Sequence, residues 1–126
     1  MSKEAIEKWF NSLPKIERQS DEPLIISEGK AYSAKAVLAE VKAGSELGMK
    51  LQSVIESKRY STAEDKYALA LARLRERLPK LPKEFRIVVG MKIYSPSEML
   101  HEINTGTSVG RTFIEAEIRR TESILT

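Results

Sequence analysis

Displaced along itself by 62 residues, the chain matches its own sequence without a gap, residues 22–58 lying over residues 84–120. Identities fall on Glu22/Glu84, Ile25/Ile87, Lys30/Lys92, Tyr32/Tyr94 and Ser33/Ser95, then on Leu38/Leu100, Glu40/Glu102, Gly44/Gly106 and Gly48/Gly110. Conservative pairs such as Ile26/Val88, Ser45/Thr107, Leu51/Phe113 and Lys58/Arg120 fill the register. Chance matches scatter, whereas these keep to apolar, glycine and capping positions, as a copied structural unit requires. A helical segment ending in Leu-Pro-Lys precedes each copy, at 4–13 and 64–78. The chain is therefore read as a single domain over residues 1–126, made of a first repeat (1–61) and a second (62–126).

Each repeat predicts helix, two short strands, helix, tight turn, helix. In the second, Phe85-Arg86-Ile87-Val88-Val89 is rich in β-branched residues and is stopped by Gly90, as a short strand and turn would be. Ser95-Pro96-Ser97-Glu98 is a helix start with a cap, a first-turn proline and a returning carboxylate. Gly106 ends that helix and Thr107 can cap the next at once. The first copy repeats the logic through Tyr32-Ser33, Gly44-Ser45 and an apolar series at Leu47, Leu51, Val54 and Ile55. Between the copies, Tyr67, Leu71, Leu74 and Leu78 form one stripe on a central helix capped by Thr62. A two-stranded hairpin is marginal alone, so each must pack on helices or join its twin in a four-stranded sheet. The expected fold is α+β and mainly helical, a tandem duplication of an αββαα unit with pseudo-twofold symmetry about one core.

Several chemistries are disfavoured. Without cysteine the chain has no disulfide, thiolate ligand or thiol nucleophile, which suits a reducing compartment. The N-terminal stretch carries acids where a secretory leader would be basic and then apolar, and no apolar run is long enough to span a bilayer, so a cytoplasmic protein with no membrane partner is expected. The segment Gly106-Thr107-Ser108-Val109-Gly110-Arg111 resembles a phosphate loop only superficially. Only three residues separate its glycines where four are needed, arginine replaces lysine, and a helix precedes it where a strand is needed. His101 lies one turn from Glu98, but Ala36 and Ala39 stand at the matching positions and no further ligand converges. Glu40 and Glu102 invite an acid–base reading only if they meet in a cleft. No catalytic residue, metal or cofactor is expected, and the chain is read as not an enzyme.

Departures from the repeat point to a binding face. Gln52 and Glu56 of the first copy become Ile114 and Ile118 in the second, with Ile124 and Leu125 beyond. Extra apolar surface needs cover, either from Ile6, Trp9, Phe10 and Leu13 of the N-terminal helix or from another protein. On this reading Trp9, Phe10, Ile114, Ile118 and Leu125 bind a partner, and the chain is a small non-enzymatic interaction module taking another protein or, as a homodimer, itself. The alternative is a nucleic-acid-binding regulator. Lys66, Arg73 and Arg77 share one side of the central helix and Lys80 and Lys83 follow, in a chain of net charge +3.

Overall fold

The computed structural model describes residues 3–57 and 62–125. Lys58, the expected end of a helix, and the expected boundary at 61 lie outside the described residues. The fold is α+β, mainly helical, with two small antiparallel sheets. Helices α1 (Lys3–Ser12) and α2 (Lys15–Gln19) lead into β1 (Pro23–Ser27) and β2 (Lys30–Ser33). Helices α3 (Ala34–Ala43) and α4 (Glu46–Ser57) complete the first half. The second runs from α5 (Ala63–Arg77) through a 3-10 turn at Leu78–Lys80 to β3 (Ile87–Val89) and β4 (Lys92–Tyr94), then α6 (Pro96–Thr105) and α7 (Ser108–Leu125). Helix α2 was not foreseen: Pro14 precedes a run of five residues, too short to show a helical period.

The hairpins keep one register. Ile25 stands opposite Tyr32, Ile26 opposite Ala31 and Ser27 opposite Lys30. At positions 62 residues on, Ile87 faces Tyr94, Val88 faces Ile93 and Val89 faces Lys92. Their two-residue turns differ. Glu28 and Gly29 both have positive φ, the signs of a type I′ turn, whereas only Gly90 does in the second turn, the signs of a type II′ turn. The glycine has moved by one place, and the strand pairing is unchanged. The strands do not merge into a four-stranded sheet; each hairpin stays separate and leans on helices.

The helix–helix corners also agree in detail. Gly44 (φ 68°, ψ 25°) and Gly106 (φ 72°, ψ 31°) end α3 and α6 in the left-handed region. Ser45 Oγ then accepts the Gly48 N–H at 2.9 Å, and Thr107 Oγ1 accepts the Gly110 N–H at 3.1 Å. Each hydroxyl donates back to a carboxylate, Ser45 to Glu40 and Thr107 to Glu102. The repeated glutamates thus brace a corner. A methyl group on Gly48 or Gly110 would overlap the carbonyl oxygen of Glu40 or Glu102, so only glycine lets the helices cross this closely.

Apolar packing divides along the chain. One cluster holds Ala70, Leu74, Leu78, Tyr94, Met99, Ile103 and Ile114. Another holds Ile6, Ile25, Val37, Val41, Leu51 and Ile55. A third, at Leu13, Leu24 and Ala34, receives Trp9 and Phe10 from α1 and Ile124 and Leu125 from the end of α7. The core is therefore parted between the halves, and α7 reaches across to close the first.

Candidate functional site

Where the halves meet, the central helix contributes charge rather than a phosphate-binding stripe. Arg73 is 0% exposed. Its Nη1 donates to Glu17 Oε1 at 2.7 Å and to the Pro23 carbonyl at 2.9 Å, and its Nε to Glu117 Oε1 at 3.2 Å. Arg77, one turn on, donates to Glu22 and to Glu117 at 2.5 Å each. Two guanidinium groups of α5 thus face carboxylates from α2, from the entry to β1 and from α7. Burial opposes the charge on both arginines, but the carboxylates more than offset it and hold both pKa values above the usual arginine range. Burial likewise pushes Glu117 up, while Arg77 and then Arg73 outweigh it and keep its carboxyl below the usual glutamate value.

This arrangement corrects the nucleic-acid residue set. Arg73 cannot reach a phosphate, and Arg77 is committed to two carboxylates. Lys66 pairs with Glu122 at 3.0 Å and Lys80 with Glu76 at 2.6 Å, both in water. Of the five, only Lys83 forms no ion pair among the described residues. The sequence placed Lys66, Arg73 and Arg77 correctly on one side of α5. It could not show that α7 brings Glu117 and Glu122 against that side. One signal was present: Glu117 aligns with Ile55, a core position of the first half. An acid at an aligned core position calls for a buried cation.

The expected partner-binding face is likewise used inside the chain. Ile114 is fully buried, Ile118 packs against the same cluster, and Trp9, Phe10 and Leu125 are half-buried around Leu13 and Leu24. The N-terminal helix supplies the cover that the extra apolar residues of α7 need. These five residues do not form an open face.

An open apolar face exists elsewhere, on the second hairpin. Val88 and Ile93, paired across the strands, are 68% and 64% exposed; Met91 at the turn is wholly exposed and Phe85 is 45% exposed. Alternation explains the sidedness: Ile87, Val89 and Tyr94 turn inward to the cluster around Leu74 and Met99, so Val88 and Ile93 point out. The sequence contained these residues but gave no sign that their outer face lacked cover. At the hairpin's base lies a cleft of about 410 Å³, lined by Leu78, Leu81, Pro96 and Leu100 with Lys83, Ser95 and Ser97 at its polar part. Ser95 and Glu98 close a capping box there, and the Ser95 backbone amide holds the Glu98 carboxyl below its usual value. His101 stands exposed on α6, clear of the cleft lining. No helix among the described residues is long and apolar enough to cross a membrane.

Comparison with protein-family models, with curated proteins and with solved structures finds no match to this chain.

Proposed function

We propose that the chain is a non-enzymatic module of a reducing compartment that docks a partner protein on the outer face of its second hairpin. One observation carries this reading. Val88 and Ile93, paired across the second hairpin, and Met91 at its turn are exposed apolar side chains that the described helices leave bare, and Phe85 is exposed on the approach to β3. Exposed apolar groups gathered in one place mark interaction sites, because water contact there costs free energy that a partner's cover recovers. The partner-binding role expected of the α7 face thus moves to β3 and β4.

We further propose that the module arose by tandem duplication of the hairpin–helix–helix unit. Support comes from the shared hairpin register, the paired left-handed glycines and the hydroxyl–carboxylate brace at each corner. On this view one copy kept its hairpin face for folding and the other released its face for binding.

A photo-crosslinking residue at position 93, expressed in cells carrying the gene, tests the docking face. A discrete protein adduct should form there, should be absent with the same residue at exposed Lys35, and should vanish when Val88→Asp is added. An adduct of twice the chain's mass identifies a second copy as the partner. No adduct at 93, or one unaffected by Val88→Asp, would sink the assignment of this face.

A further inference from the structure

The hairpin carries more than an apolar patch; it has a free edge beside it. In a two-residue hairpin the residues flanking the turn, Val89 and Lys92, form a hydrogen-bonded pair. Val88 and Ile93 are then the non-bonded pair, and their N–H and C=O groups point away from the partner strand. On β3 this directs the Val88 amide and carbonyl outward, because among the described residues β4 is the only element that β3 contacts substantially. The first hairpin differs, since β1 is packed by α3, α4 and α5. A bare strand edge is a template for another strand.

Charge selects what could pair there. Lys83 and Lys92 are exposed and form no ion pair among the described residues, and Arg86 there bonds to the Lys83 and Phe85 carbonyls while its charge helps to lower the Glu98 pKa. Two acids lie nearby: Glu84 is exposed, and Glu98 is held by the Ser95 cap. The rim is thus cationic, so a second copy would bring like charge against it, whereas an acidic segment would be attracted. The cleft adds a concave, mainly apolar recess that suits a side chain, where a membrane surface offers none to insert.

Resting on the docking role proposed above, we infer that an extended, acidic, apolar-bearing segment of the partner adds as a third strand along β3. Its backbone pairs with Val88. Alternate apolar side chains lie over Val88 and Ile93, one fills the cleft beside Leu81 and Leu100, and its carboxylates meet Arg86, Lys92 and Lys83.

Selection of a phage-displayed random peptide library on the full chain tests this. Enriched peptides should alternate apolar residues with Asp or Glu. Their affinity should fall at least tenfold in Arg86→Glu/Lys92→Glu and weaken with added salt. Val88→Pro removes the outward amide without removing a ladder bond, and it should cost at least tenfold in affinity. Because proline could disturb the hairpin itself, slowed hydrogen exchange of the Val88 amide on peptide binding to the unaltered chain gives a second readout. Peptides that bind over Val88 and Ile93 without protecting that amide, or without acidic residues, overturn strand addition but leave the docking face standing. Peptides mapping to another face overturn both. No enriched peptide, or binding confined to phosphatidylserine vesicles or to an oligonucleotide, overturns the inference.

Discussion

In the first hairpin Ile26 stands across from Ala31 and is 9% exposed; in the second, Val88 stands across from Ile93 and most of both side chains meets water. The register beside the turn, the strand order and the order of the following helices are the same. The largest difference is α5, which packs on β1 and is fastened there by Arg73 to the Pro23 carbonyl and to Glu17. Among the described residues no helix packs on β3 in that way. A β-branched residue on a pleated strand fits a covered or an open face equally well, so its identity does not reveal which it occupies. Cover is a property of what docks.

The largest test of this contrast is to unfasten the covered hairpin. Arg73→Ala leaves Glu17 buried without its cation and Glu117 with Arg77 as its remaining hydrogen-bonded cation, and losing one member of a buried ion pair costs about 3–5 kcal/mol. Urea denaturation should show that loss, and amide exchange should quicken in β1 while β3 is unaffected. Equal stability in the variant would mean the network does not hold the seam. Next in size is the direct exchange of roles. Ile26→Ala should destabilise by about 2–5 kcal/mol as a core truncation, whereas Val88→Ala should stay within about 0.5 kcal/mol. Equal costs at the two sites would erase the distinction.

Smaller, and sharpening what the halves share, are the corner glycines. Gly48→Ala and Gly110→Ala each press a methyl into a backbone carbonyl, and each should cost about 1–3 kcal/mol in thermal or urea unfolding. A cost in one half alone would break the parallel between the corners. The least effect is expected from mild acid. The Glu117 pKa is depressed in the folded chain below the ordinary 4.5, so the unfolded chain binds protons more readily. Its contribution is present in full above that unfolded value and is lost as pH falls through the lower folded one. The urea midpoint should therefore drop on acidification below about 4.5, and the drop should be shallower in Glu117→Gln.

Much of the fold is legible in the sequence. Ser95, Pro96 and Glu98 announced the start of α6, and Gly44 and Gly106 the ends of α3 and α6, because caps and left-handed turns are set by neighbours in sequence. The strands were legible through Ile25, Ile87 and their flanking turns. The site was not. Ile114, Ile118, Trp9 and Phe10 looked like a face for a partner, and they pack within the chain. Arg73 looked like a surface charge, and it is the most deeply placed cation described. In both cases a residue's fate depends on groups some 40 to 110 positions away, which no local pattern reports.

The sequence by itself determined the elements other than α2 and their order, since backbone hydrogen bonding and side-chain period act over a few residues. Only the tertiary structure decided which hairpin is roofed by α5, which charges are buried and which apolar surface is left to water. Those outcomes follow from how helices dock over long separations, where burying Arg73 is tolerable only because Glu17 and Glu117 arrive at the same point.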